Sequence, residues 1–225
     1  MIQALVFDLD DTLYPEKDFV LSGYSAVARF LADSHRCNFN TAFSHMAETY
    51  AMRGKDQVFP SVLENLPNLT LTVADLVEVY RAHNPCIGLF PGYSDLIRTL
   101  AAQYRLGLIT DGLPSVQAKK VSALGLESIM DKVIYTWEYG AEKEKPHPFS
   151  FALMLEDLHV DPESALYVGD NPDKDCRGAH GVGMRFAHIQ GLEKNHVHTG
   201  SGGHEAPEFT IETLFQLPHI LRDLN

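Results

Sequence analysis

A chain of 225 residues with 45% hydrophobic and 21% charged side chains can bury the core of one large domain, or of a core with a smaller insert. Its formal net charge of −12 excludes nonspecific binding to nucleic-acid polymers or anionic membranes, and an anionic substrate would enter only where a cation offsets the field. Cys37, Cys86 and Cys176 are widely spaced and form no C-x-x-C pair, which fits a reduced, cytoplasmic protein. No apolar run approaches the roughly 20 residues of a membrane span, and acidic residues from Asp8 onward interrupt any signal-like core.

In chain order, Ala4-Leu5-Val6-Phe7 is a short apolar run that ends abruptly in carboxylates, the pattern of a buried parallel strand. Residues 15–87 then read as helices only. Phe19, Gly23, Val27, Phe30 and Leu31 share one helical face, Phe43, Met46, Ala47 and Tyr50 another, and Thr72-Val73-Ala74-Asp75 has the form of a capping box with Asp in place of Glu. From Gly88 onward strand and helix alternate. Strands are predicted at Leu106–Ile109, Val133–Tyr135, Ala165–Val168 and Arg185–Ile189. Helices are predicted over Tyr93–Gln103, Ser115–Leu124, Pro148–Leu158 and Asp173–Ala179, and Phe209-Thr210-Ile211 with a helical Thr213–Leu221 closes the domain. Such alternation predicts an α/β fold, a parallel sheet covered on both faces. Residues 1–14 and 88–225 would form a Rossmann-like core and 15–87 an inserted helical domain, placed to overhang the carboxyl ends of the strands, where open α/β sheets bind ligands. Residues 190–207, rich in Gly and His, are expected to be a long surface loop.

The Ala4–Phe7, Leu106–Ile109 and Ala165–Val168 runs each end in residues that carry chemistry, and a fourth motif, Lys145-Pro146, follows an irregular stretch rich in Glu and Lys. Asp8 and Asp10 stand two apart, and two carboxylates so close cannot both stay ionised and dry unless a cation joins them. Phosphoryl transfer through an aspartate uses such a pair: one attacks phosphorus, the other exchanges a proton with the leaving oxygen and then with water. An Asp-rich turn is the bland alternative. Thr110-Asp111-Gly112 precedes a helix, so a hydroxyl and backbone N–H groups could cradle an anion there; an ordinary strand-to-helix turn looks the same. Lys145 before Pro146 could neutralise phosphoryl oxygens, or could be a solvated lysine beside Lys143. Gly169-Asp170 ends another strand. Asp170 could complete a Mg²⁺ site with Asp8, and Asp175 could orient Lys145 or a metal-held water, against the alternative of an acidic helix N-terminus. The conjunction of all four, in order, points to phosphoryl transfer.

With these motifs the chain resembles the haloacid dehalogenase-like hydrolase superfamily, over essentially its whole length: Phe7-Asp8-Leu9-Asp10-Asp11-Thr12-Leu13, the helical insert and the three later motifs. The resemblance implies a Rossmann-like core with a mobile helical cap and Mg²⁺ dependence. It implies Asp8 as nucleophile and Asp10 as general acid/base, with Asp10 also offering its backbone carbonyl to the metal. Thr110 and Lys145 would bind the phosphoryl group together with the backbone of Asp111 and Gly112, Asp170 would ligate Mg²⁺, and Thr12 and Asp175 would support the site. Dehalogenases of the superfamily lack the second carboxylate, so Asp10 argues for a phosphatase. The family often carries Asn where Asp111 stands. Leu13-Tyr14-Pro15 resembles pyrimidine 5′-nucleotidase-like members, which suggests a nucleoside monophosphate; Tyr14 and Phe19 would then stack on a base or, the favoured reading, pack internally.

The expected activity is Mg²⁺-dependent hydrolysis of a small cytosolic phosphate ester. A phosphomutase of the same fold is the alternative, and a non-hydrolytic phospho-acceptor protein the alternative of another class. Lys17, Arg53 and Lys55 read as solvated surface charges, and His196, His198 and His204 as loop residues without the ordered scaffold of a metal site. Monomer and homodimer are left open.

Overall fold

Ala4–Phe7 forms β1, the centre of a six-stranded sheet, and all four of its residues are fully buried because layers cover both faces. The remaining strands are β2 (Arg105–Thr110), β3 (Lys132–Tyr135), β4 (Ala165–Gly169), β5 (Arg185–Ile189) and β6 (Phe209–Ile211). Their order is β3-β2-β1-β4-β5-β6 and every pairing is parallel, with Phe7 opposite Leu108 on one side and Val168 on the other. The structure is a computed structural model that describes residues 1–66, 70–190 and 206–225. His196, His198, His204 and most of the expected loop fall outside the described residues.

The chain winds outward from β1 through β2 to β3, then crosses back to β4. Connections therefore leave β1 and β4 in opposite directions, and this reversal opens a crevice at their carboxyl ends. Asp8 follows β1 and Asp170 follows β4, so the topology sets them side by side. The helices of this unit are α5 (Tyr93–Ala101), α6 (Pro114–Ala123), α7 (Phe149–Leu158), the short α8 (Arg177–His180) and α9 (Leu217–Leu224). α6 stops at Gly125, whose φ of 68° is the left-handed turn that glycine adopts without a Cβ penalty. Pro148 is the N-cap of α7 rather than a residue of its first turn. Between β4 and α8 the expected helix start is a single π turn, Pro172–Cys176.

The chain divides into two compact units, Met1–Glu16 with Gly88–Asn225, and Lys17–Ile87. The second is built from α1 (Glu16–His35), α2 (Phe39–Arg53), α3 (Val58–Asn65) and α4 (Val73–Ala82). Its core gathers Tyr24, Val27, Leu31, Met46, Val62 and Leu76 from all four helices. The capping box at the head of α4 is present: Thr72 N–H donates to Asp75 at 2.7 Å and Asp75 N–H to the Thr72 hydroxyl at 3.3 Å. Among the described residues no helix is long and apolar enough to cross a membrane.

Candidate active site

The β1 strand stops at Phe7, and the chain turns at once. Asp11 takes a left-handed φ of 53°, tolerated by Asp better than by most residues, and its carboxylate accepts the Glu16 N–H at 2.8 Å. Asp8 and Asp10 are thereby sent to different partners. Asp8 Oδ1 accepts from Lys145 Nζ at 2.5 Å, and its Oδ2 lies 3.4 Å from the Thr12 hydroxyl. The same ammonium reaches Asp175 Oδ1 at 2.8 Å and the Tyr167 hydroxyl at 3.3 Å. Asp175 is fixed in turn, its Oδ2 accepting the Asn171 N–H at 3.1 Å. Asp170 completes the group: one oxygen from each of Asp8, Asp170 and Asp175 lies within 4.8 Å of the others, and all three residues are buried. His188 Nε2 donates to the Asp170 carbonyl at 3.0 Å and pins that backbone.

The electrostatics of this cluster are unbalanced. Burial works against the charge of Lys145, yet Asp175 and Asp8 outweigh it and push the lysine pKa well up, so it stays an ammonium. Burial raises the Asp8 carboxyl well above the ordinary carboxylate range; Asp175 and Asp170 add to this, and Lys145 opposes it. Three acidic groups share this pocket with the one ammonium set between Asp8 and Asp175, a deficit of positive groups among the residues of the cluster. Hard oxygen donors with that deficit suit a hard dication such as Mg²⁺. Asp8 and Asp170 follow directly on the ends of β1 and β4, while Asp175 comes from the next turn and is held through both oxygens by Lys145 and the Asn171 N–H.

Asp10 is held otherwise. Lys120 Nζ from α6 bonds both of its oxygens, at 2.8 and 2.9 Å; Gln117 Nε2 donates at 3.1 Å, and the Tyr14 hydroxyl donates as well. Burial alone would raise the Asp10 pKa, but Lys120 and these donors hold it below the ordinary value. Gln117 also donates to the Thr110 hydroxyl at 2.5 Å. Tyr14 is fully buried, and Phe19 packs on the rings of Tyr80 and His83, so both aromatics have internal partners.

The Asp111 side chain is occupied. Its Oδ1 accepts from the Thr136 hydroxyl at 2.9 Å and the Lys145 N–H at 3.0 Å, and its Oδ2 from Lys174 at 3.1 Å. It thus anchors the backbone of Lys145. Burial opposes its charge, but Lys145 and Lys174 lower its pKa. A depressed folded pKa adds stability above the unfolded carboxylate value and loses it as pH falls through the folded one. Asp111→Asn keeps an oxygen for the Lys145 N–H and gives up the half-exposed Lys174 pair, so activity should change by about threefold or less while the acid limb of the stability profile flattens. Melting curves taken from acid to neutral pH check this.

Gly169 supports Asp175 by what it lacks. A Cβ there would lie 2.3 Å from Asp175 Oδ2. Gly169→Ala should cost about 1–3 kcal/mol of stability and, by moving Asp175 off Lys145, should lower kcat as well. A denaturant titration beside an activity assay separates the two effects.

The structure brings Asp8, Thr12, Lys145, Asp170 and Asp175 together at the switch point, and joins Asp10 to Thr110 through Gln117. Lys120, Gln117, Tyr167, Thr136 and His188 escaped the sequence reading. Only helical phase marks the first two: they are three apart on α6, and nothing else in the sequence separates Lys120 from Lys119.

A family model for haloacid dehalogenase-like hydrolases matches residues 5–189. The chain belongs to that family. Among these hydrolases, a glyceraldehyde 3-phosphate phosphatase from Methanocaldococcus jannaschii is 30% identical, covering 100% of this chain and 99% of the relative. The crystal structure of a HAD phosphatase from Thermococcus onnurineus is similar with a TM-score of 0.61 and 26% identity, over 98% of each chain. A 2-haloacid dehalogenase from Pseudomonas syringae shares the fold with a TM-score of 0.69 at 23% identity, over 100% of each chain.

Proposed function

We propose that the protein hydrolyses a small phosphorylated metabolite with Mg²⁺, through a phosphoryl group carried on Asp8. It is a phosphatase of the haloacid dehalogenase-like hydrolases, as its relative from Methanocaldococcus jannaschii is by name. The observation that carries the reading is the Lys145 ammonium clamped between Asp8 and Asp175, beside Asp170, at the mouth of the β1/β4 crevice.

Asp8 Oδ attacks phosphorus in line with the ester oxygen. The P–O bond to the leaving group breaks and that oxygen takes its proton from Asp10. Water then attacks the phosphoryl group on Asp8, gives a proton to Asp10 and frees inorganic phosphate and the Asp8 carboxylate. Thr110, Lys145 and the N–H groups of Asp111 and Gly112 bind the phosphoryl oxygens, and the ammonium balances charge that grows on them. Asp8, Asp170 and the Asp10 carbonyl would hold Mg²⁺, which would screen nucleophile and phosphate from each other, and Thr12 and Asp175 would keep Asp8 and Lys145 in place. Because Asp10 rests ionised against Lys120, it must gain a proton before the first step.

A cytoplasmic setting agrees with three free cysteines. For the substrate, a triose phosphate has the support of the relative's name and a nucleoside monophosphate that of the Leu13-Tyr14-Pro15 resemblance, with Tyr14 itself buried on Asp10 rather than offered to a base. The test is phosphate release from glyceraldehyde 3-phosphate, other sugar phosphates, phosphoglycolate and nucleoside monophosphates, with Mg²⁺ and with chelator. Metal-dependent release led by triose phosphates is the expected result. Release equal with and without chelator would remove the metal, and turnover only with an added bisphosphate would make the enzyme a phosphomutase.

A further inference from the structure

Gln117 sits in the first turns of α6, 3% exposed, with its side chain directed back toward the helix N-terminus. Its single Nε2 donates to two acceptors from different strands' ends, the Thr110 hydroxyl at 2.5 Å and Asp10 Oδ2 at 3.1 Å. The geometry gives the direction of the amide: Nε2 is the atom within hydrogen-bond distance of both oxygens, so the NH₂ edge faces Asp10 and Thr110 and both of its protons are used. Thr110, having accepted one of them, has no need of its own proton there. That proton is left to turn toward a phosphoryl oxygen.

We propose that Gln117 is a positioning residue of the phosphatase reaction: its amide locks the proton of the Thr110 hydroxyl outward and sets the rotation of the Asp10 carboxylate, so that phosphoryl binding and proton transfer are aligned by one side chain. The proposal rests on the roles given above to Asp8, Asp10 and Thr110. Lys120 and Tyr14 tether Asp10 as well, but both converge on Oδ1, with Lys120 also reaching Oδ2. Among the described hydrogen bonds, Gln117 alone connects Asp10 to Thr110. Without it the carboxylate keeps Lys120 and Tyr14 but loses the donor that turns Oδ2 toward Thr110, and the threonine proton is free to turn to the carboxylate instead of the substrate.

Gln117→Met fills nearly the same volume and has no donor. A misaligned acid matters most when the leaving oxygen is a poor one. We expect kcat on phenyl phosphate to fall about 30-fold and kcat on p-nitrophenyl phosphate, whose leaving group barely needs a proton, to fall about threefold. Gln117→Asn keeps the amide but is one methylene too short to span both acceptors, and it should give the same split; either folded variant decides the question. A purely structural role would lower the melting temperature and reduce both rates by one factor. Equal losses on the two esters, or losses under about twofold on both, would overturn the proposal and leave the phosphatase standing. Wild-type enzyme without Asp8-dependent release on either ester would sink the parent reading, and the role of Gln117 with it.

Discussion

Asp8→Asn is expected to lower turnover on the order of 10⁴-fold or more while the fold is retained. The amide has the shape of the carboxylate but cannot attack phosphorus. Its effect on stability has the opposite sign from most core substitutions. Burial, Asp175 and Asp170 raise the Asp8 pKa, so the folded state holds that proton more tightly than the unfolded chain does. The stability linked to Asp8 is therefore full below the ordinary carboxylate pKa and is lost as pH rises through the higher folded value. In chelator at neutral pH the neutral asparagine should melt at or above the wild-type temperature, and its profile should be flatter with pH. Added Mg²⁺ should raise the wild-type melting temperature and act much less on the variant. An active Asp8→Asn enzyme, measured free of wild-type contamination, would falsify the assignment of the nucleophile.

Lys145→Met should damage both stability and activity. Lys145 is 4% exposed, and its ammonium bonds Asp8, Asp175 and Tyr167. Removing it strands buried carboxylates, a change that costs about 3–5 kcal/mol and, for a chain of this size, about 10 °C in Tm. If Lys145 faces the phosphoryl oxygens as proposed, loss of its charge should cost about 10³-fold in kcat/KM. Arginine should not rescue it, because a planar fork cannot take three partners arranged around one nitrogen. Mg²⁺ should restore part of the stability, since a dication offsets the stranded carboxylates, and should restore little of the rate. Thermal melts and initial rates with and without Mg²⁺ measure each part. A variant that melts like wild type in chelator would mean that the ammonium is not the counter-charge of Asp8 and Asp175.

Much of the fold was readable because burial writes itself as uninterrupted apolar runs. β1 and β5 have the bounds read from sequence, and β2, β3 and β4 differ by a residue at one or both ends. The Thr72 box was legible for a local reason: a cap is a contact within a few residues. Pro148 and the π turn at Pro172 were not, because the start of a helix in these places is decided by what the preceding turn must reach. No residue propensity marks the π turn. It forms where the Asn171 N–H donates to Asp175 Oδ2 and the other oxygen of Asp175 is claimed by Lys145.

By itself the sequence determined that three of the four motifs end buried runs and that a helical stretch separates the first from the rest. Both follow from hydrophobic periodicity, which is a property of neighbours along the chain. Only the tertiary structure decided which strands lie adjacent, and so which carboxylates share the Lys145 ammonium. It decided too that Asp111 anchors Lys145, that Tyr14 serves Asp10, and that Gln117 and Lys120 face inward to the same carboxylate. These depend on sheet order and on the rotation of α6 about its axis. Both are set by packing between segments far apart along the chain, where local propensity carries no information.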